Sequence, residues 1–132
     1  MKKVMAFGSF DVIHPGHVYF LREAKKLGDC LVVLVARDKT IEKVKGKKPH
    51  YSEAERLNQI MKLKIADRAI LGSEDNYLKS VSEFAPDIIA LGYDQKFPTD
   101  ELKKSIPQHV KIARIGPYKE HIYKSSLIKK KN

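Results

Sequence analysis

The sequence is poor in cysteine and has no long apolar run. Its one cysteine, Cys30, cannot form an intrachain disulfide, and its place beside an apolar run predicts a buried strand residue in a protein of a reducing compartment. No stretch approaches the length of a membrane span, and the N-terminus lacks the apolar core of a signal peptide. We therefore expect a soluble, cytoplasmic protein with no membrane partner.

Acidic residues are also scarce relative to basic ones. The 26 lysines and arginines against 16 aspartates and glutamates give a net charge of +10, which favours anionic partners. The sequence has no recognised nucleic-acid motif and no basic stripe interleaved with aromatic residues, so we expect no nucleic-acid partner. A non-catalytic, basic nucleic-acid-binding module is the alternative from a different functional class.

Short apolar runs alternate with helical periodicities along the 132 residues. A continuous run such as 31–36 is typical of a strand buried on both faces, and Ser52 with Glu55 forms a capping box that predicts a helix start. The alternation predicts an α/β fold, a Rossmann-like three-layer sandwich with a five-stranded parallel sheet. Since no linker or repeat interrupts it, we expect one domain over residues 1–132. The predicted strands are 4–7, 31–36, 69–71, 87–91 and 110–115.

The most informative stretch lies between the first apolar run and the first helical pattern, and it reads FGSFDVIHPGH. The unpaired N–H groups and the dipole at a helix start favour an anion, and Gly8 and Gly16 allow close backbone approach. His14 and His17 lie three residues apart, so both imidazoles can donate hydrogen bonds to phosphoryl oxygens in one pocket. The spacing fits neither a Walker loop nor G-x-G-x-x-G. It predicts a triphosphate site, the alternative being an ordinary surface turn.

This stretch, Gly8-Ser9-Phe10-Asp11 followed by His14-Pro15-Gly16-His17, resembles the signature of the cytidylyltransferase-like nucleotidyltransferases. Among the small members, similarity to the archaeal FAD synthases rests on 36–38 (ARD), 45–49 (KGKKP), 69–72 (AILG) and 91–95 (LGYDQ). The resemblance implies that a phosphate-bearing acceptor takes a nucleotide from a nucleoside triphosphate with release of pyrophosphate. It implies ATP and FMN as substrates, with CTP and glycerol 3-phosphate as the alternative pair, and it further implies Mg²⁺ or another divalent cation and a homodimer.

The resemblance also implies roles for individual residues. The catalytic groups are His14, His17 and Lys43 or Lys45, the lysines lying in a segment, 40–51, that we expect to be a mobile basic loop. Nucleotide contacts are expected from Gly8, Ser9, Phe10, Asp11, Gly16, Gly92, Tyr93, Asp94, Ser125 and Ser126, and acceptor contacts from Asp38, Arg56 and Arg114. Structural alternatives stay open: Asp38 paired with Arg37, Arg56 as a surface residue, and Asp94 bonded to its own backbone. Two histidines without a carboxylate or a third histidine form a poor metal site, so we expect no resident metal.

Overall fold

The computed structural model describes residues 1–72, 77–92, 106–107 and 109–116. In chain order its elements are β1 (Lys3–Gly8), α1 (Pro15–Lys25), β2 (Cys30–Val35), α2 (Asp38–Lys45), α3 (Glu53–Lys62), β3 (Arg68–Leu71), α4 (Tyr77–Phe84), β4 (Ile88–Gly92) and β5 (Lys111–Ile115). None of the helices in these ranges is long and apolar enough to cross a bilayer.

The strands form one parallel sheet in the order β3-β2-β1-β4-β5. β1 is the central strand, with Met5 paired to Val32 of β2 on one side and to Ile89 of β4 on the other. The chain runs outward from β1 to β3 and then crosses back to β4. The carboxyl end of β1 is therefore the point where the strand order reverses, the place where open α/β sheets bind ligands. The predicted five-stranded parallel fold is confirmed.

Both faces of the sheet are covered at its centre, which explains why β1, β2 and β4 are mostly apolar, whereas the edge strands β3 and β5 also carry exposed basic residues. In β1, Val4 and Ala6 pack in the cluster that contains Leu21 of α1 and Ile60 of α3. The alternate residues of β1 pack in a second cluster with Val81 of α4. This period of two is the pleat of a strand buried on both sides. The sequence prediction for Cys30 was less accurate, because Cys30 opens β2 and is half-buried.

The prediction of a mobile loop over residues 40–51 is wrong for its first half, which belongs to α2. Asp38 lies in the first turn of this helix, and basic residues occupy the last turn, so both ends complement the helix dipole. Ile41 is buried and attaches the helix to the core. Gly46 ends the helix in the left-handed conformation, φ 76°, and donates its N–H to the carbonyl of Glu42. The sequence contains these signals for the start and end of a helix, but the many charged residues around them made the helix hard to recognise.

Candidate active site

The two histidines of the motif form the N-terminal cap of α1. Nδ1 of His14 accepts the N–H of Gly16 at 3.1 Å, and Nδ1 of His17 accepts the N–H of His14 at 3.3 Å. This is a capping box in which two imidazoles replace the usual hydroxyl and carboxylate. A nitrogen that accepts cannot carry the proton of a neutral imidazole, so each ring carries its proton on Nε2. Both rings thus have an N–H donor on the side away from the helix cap.

The first amides of α1 are already used by the protein. Pro15 has no N–H, the N–H of Gly16 goes to the imidazole of His14, and those of His17 and Val18 go to the carbonyl of His14. The expectation that the amides at this helix start are unpaired is therefore wrong, and the phosphate site, with the nucleotide contact of Gly16, stays a prediction. The helix dipole remains, and we expect the Nε2–H groups of His14 and His17 to serve as donors to a phosphate here.

The environment of His17 keeps its imidazole neutral. Burial lowers the pKa of His17 from its usual 6.5 to about 4; the neighbouring His14 adds to this effect, and the Val12 carbonyl opposes it. The rings of His14 and His17 stack with their centroids 3.8 Å apart. At neutral pH His17 is therefore a hydrogen-bond donor without a positive charge.

Phe10 supports His17 from the core. Its side chain is 3% exposed, and its ring meets that of His17 edge to face with centroids 5.4 Å apart. The backbone of Phe10 has a φ of 49°, unusual for a bulky residue, and its ring lies where a side chain on residue 8 would be. A Cβ on Gly8 would approach Cε2 of Phe10 to 2.6 Å. The side chain of Phe10 thus packs in the core, and a nucleotide contact through its backbone stays a prediction.

Asp11 bonds to a distant part of the chain. Its two carboxylate oxygens accept the N–H groups of His50 at 2.7 Å and Tyr51 at 2.8 Å. Burial alone would raise the pKa of Asp11, but these two backbone bonds, with Arg56 and His50 nearby, lower it below its usual value of 3.8. Asp11 is therefore ionised and occupied by backbone donors, and the predicted nucleotide contact of this residue stays a prediction.

Arg56 is fully buried and not a surface residue. Its Nη1 donates to the carbonyls of Ser9 at 2.8 Å and Ala36 at 2.7 Å, its Nε to the carbonyl of Tyr51 at 3.0 Å, and its Nη2 to the carboxylate of Asp38 at 2.7 Å. Three segments of the chain, around residues 9, 36–38 and 51, meet at this one guanidinium. The alternative that Arg56 is a surface residue is wrong. A contact between Arg56 and substrate stays a prediction, and it would compete with these four hydrogen bonds.

Asp38 pairs with Arg56 and not with Arg37, the partner proposed from the sequence. Arg37 instead donates to the carbonyl of Gly72 at 2.7 Å and contacts Glu53 at 3.4 Å. Glu53 also accepts the N–H of Asp38 at 2.9 Å and so caps α2 from α3. No sequence signal identified Glu53, because a cap supplied by another helix leaves no local pattern. A role for Asp38 towards ribose or acceptor stays a prediction.

The remaining predicted residues divide into two groups. Lys43 and Lys45 lie exposed in the last turn of α2, and Nη1 of Arg114 donates to the carbonyl of Gly92 at 2.7 Å, joining the carboxyl ends of β5 and β4. Tyr93, Asp94, Ser125 and Ser126 lie outside the described residues. Within the described ranges no three His, Cys, Asp or Glu side chains are grouped as a metal site would require.

The comparisons with known proteins agree with this geometry. The cytidylyltransferase-like family model matches residues 5–131. FAD synthases from Thermoplasma acidophilum and Thermoplasma volcanium are 52% and 51% identical over 134 residues, covering 99% of this chain and 94% of each relative. The FAD synthase of Aciduliprofundum boonei is 50% identical over 121 residues, covering 89% of this chain and 80% of that protein.

A solved structure is similar along most of the chain. The crystal structure of a protein described as the lipopolysaccharide core biosynthesis protein of Thermoplasma volcanium aligns with a TM-score of 0.82 and 53% identity, over 89% of this chain and 98% of that one. The histidine pair at the carboxyl end of the central strand lies within the matched residues of the family model. The chain therefore belongs to the cytidylyltransferase-like family of nucleotidyltransferases.

Proposed function

We propose that this chain is an FMN adenylyltransferase, which makes FAD and pyrophosphate from ATP and FMN. The observation that carries the proposal is the identity of about half of all residues, along nearly the whole chain, with proteins named FAD synthase. The site described above suits the reaction, since the imidazoles of His14 and His17 lie near the carboxyl end of the central strand, where open α/β sheets bind ligands.

The reaction needs no covalent enzyme intermediate. An oxygen of the FMN phosphate attacks the α-phosphorus of ATP in line, the bond from that phosphorus to the bridging oxygen breaks, and the electron pair leaves with pyrophosphate. Because the acceptor phosphate is already ionised, no base is required, and positioning with charge stabilisation supplies the acceleration. The Nε2–H groups of His14 and His17 donate to phosphoryl oxygens, and these bonds strengthen as negative charge develops.

The lysines of α2 serve the leaving group. Lys43 and Lys45 are exposed on the last turn of the helix, so either ammonium group is available to a triphosphate. Neutralising the charge of departing pyrophosphate lowers the barrier without any proton transfer. Tyr93, Asp94, Ser125 and Ser126 keep their predicted nucleotide roles.

The magnesium ion enters as part of the substrate. Mg²⁺ is commonly held by substrate phosphates and water with few protein ligands, which suits a site whose described residues offer no three-ligand group. In this proposal the protein would bind the ion together with ATP, and the ion would neutralise part of the triphosphate charge. A cytoplasmic homodimer without a nucleic-acid partner completes the proposal by family resemblance.

Product analysis tests the function. The protein is incubated with MgATP and FMN, and in parallel with MgCTP and glycerol 3-phosphate, and the products are separated by chromatography. FAD with an equal amount of pyrophosphate is the expected result, whereas CDP-glycerol would favour the alternative substrate pair. His17→Ala should remove turnover, while His109→Ala, which changes an exposed histidine in a turn near α4, should not. Normal turnover by His17→Ala would contradict the mechanism.

A further inference from the structure

The segment that carries the lysines runs from Asp38 to Tyr51, and its buried Ile41 attaches it to the core; we call residues 38–51 the lysine arm. It contains five lysines against two acidic residues, and all five lysines are exposed. Both ends of the arm are tied to the loop of residues 9–14, which joins β1 to α1 and which we call the histidine loop.

The near end of the arm is held through Arg56. Nη1 of this arginine donates to the carbonyl of Ser9 in the histidine loop, and Nη2 donates to the carboxylate of Asp38, where the arm begins. Since the guanidinium is rigid, planar and fully buried, it fixes the relative positions of these two segments.

The far end of the arm is held through Asp11 of the histidine loop. A single carboxylate accepts two consecutive amides, those of His50 and Tyr51, although these residues follow an exposed stretch, 45–48, and precede α3. Bonds from backbone N–H groups to an ionised carboxylate are about twice as strong as neutral ones. This contact joins residues 39 and 40 positions apart in the sequence.

We propose that Asp11 is a positioning residue that acts through the lysine arm, holding its far end on the histidine loop so that lysine and histidine donors act on one triphosphate. This inference rests on the proposed function for its substrate. It assigns Asp11 to the placement of the pyrophosphate-binding lysines instead of to direct contact with the nucleotide. The two oxygens of Asp11 are already engaged by the arm, which is what a positioning role requires.

Hydrogen exchange of the unmodified protein tests the placement. The amides of His50 and Tyr51 should exchange at least about tenfold more slowly than those of Lys47 and Lys48, because a charge-assisted bond protects them. Equal exchange rates at these four amides would overturn the proposal. Hydrogen exchange does not depend on turnover. A protein that formed no FAD would contradict the proposed function, and its exchange rates would still test the placement of the arm.

A double-mutant cycle tests whether Asp11 acts through the lysines. Asp11→Asn leaves one acceptor oxygen for two amides and should lower kcat/KM for ATP by about tenfold. In the Lys43→Ala/Lys45→Ala background the same change should lower it less than about twofold, because the groups that it positions are gone. A full tenfold effect in that background would show that Asp11 contacts the nucleotide directly and would overturn the proposal.

The matched control is Asp29→Asn. Asp29, like Asp11, accepts a backbone N–H, that of Lys2 at 2.7 Å, but it is exposed and lies before β2 at the opposite end of the strands. Its substitution should leave kcat/KM and the exchange of His50 and Tyr51 unchanged within about twofold. If Asp11→Asn does not fold, Asp11→Glu keeps the carboxylate and should retain slow exchange at His50 and Tyr51, and loss of that protection in a folded Asp11→Glu would count against the proposal.

Discussion

His14 and His17 each use Nδ1 to accept a backbone N–H at the start of α1, and their rings stack 3.8 Å apart. One nitrogen of each ring thus caps the helix, and the other carries an N–H group that can donate a hydrogen bond to a phosphate. The two functions can be separated by substitutions that keep one nitrogen position and not the other.

At His17, asparagine places an oxygen near the position of Nδ1, and glutamine places an amide near the position of Nε2. His17→Asn should keep the cap and lower kcat about 100-fold with little change in KM, the size expected for loss of one transition-state donor. His17→Gln should retain more activity, because it keeps a donor at the outer position. Steady-state kinetics with both variants measures the difference. A His17→Asn enzyme as active as His17→Gln would contradict the assignment of Nε2 as the donor.

The free energy of unfolding should depend on pH through His17. The unfolded chain takes up a proton on this residue near pH 6.5, whereas the folded chain does so only near pH 4, so the unfolded state binds more protons between these values. Stability is therefore fully present above pH 6.5 and falls as the pH drops towards 4, by about 1 to 2 kcal/mol once screening of the half-exposed ring is allowed for.

Urea denaturation at several pH values measures this effect. The difference between the unmodified protein and His17→Asn isolates the contribution of His17, and the variant should lose less stability between pH 6.5 and pH 4. His109→Ala should follow the unmodified protein. Parallel curves for the unmodified protein and His17→Asn would contradict the pKa shift of His17.

Gly8→Ala should distort the site by displacing Phe10. The new Cβ would lie 2.6 and 2.7 Å from two carbons of the Phe10 ring, which is buried and has its backbone at φ 49°. We expect a loss of about 1 to 3 kcal/mol in unfolding free energy, as for an overpacked core, together with a lower kcat. Thermal unfolding and kinetics check both expectations. Gly116→Ala is the control, because no atom of the residues that the structure describes lies within 4 Å of the added Cβ. Phe10→Leu in the Gly8→Ala background should recover part of the stability.

Arg56→Lys should lower stability more than it changes substrate affinity. An ammonium group cannot reproduce the planar fork that donates to the carbonyls of Ser9, Ala36 and Tyr51 and to Asp38, so buried acceptors lose their donors. We expect a loss of about 2 to 4 kcal/mol in unfolding free energy. Arg68→Lys on the exposed side of β3 should cost little. A large rise in the KM for FMN at unchanged stability would restore the substrate role predicted for Arg56.

Chelation should stop the reaction without unfolding the protein. If Mg²⁺ enters with ATP, EDTA should abolish FAD formation and leave the melting temperature of the nucleotide-free protein unchanged, because no bound ion would be lost. Differential scanning calorimetry with and without EDTA provides the check. A clear drop in melting temperature would show that a resident metal contributes to the fold.

The sequence predicted the fold well, because the fold depends on short-range patterns. Apolar runs and capping residues mark the strands and the start of α3, and Ser52 and Glu55 cap that helix as expected. It predicted the long-range contacts poorly. No residue pattern near Asp11 predicts its bonds to His50 and Tyr51, and none near Arg56 predicts its burial among three segments, since such contacts exist only once the sheet has assembled.

The far end of the lysine arm is held through main-chain atoms: the N–H groups of His50 and Tyr51 bond to Asp11, and the carbonyl of Tyr51 accepts from Arg56. Carbonyls are common to all residue types, and N–H groups to all but proline, so this attachment does not depend on which side chains the arm carries. The residues between the two attachments can therefore diverge in sequence, or be exchanged for those of a relative, without rebuilding the histidine pair. In evolution and in engineering alike, the arm can therefore change in sequence while the histidine pair keeps its place, provided that the buried Ile41 and the lysines that serve the leaving group are kept.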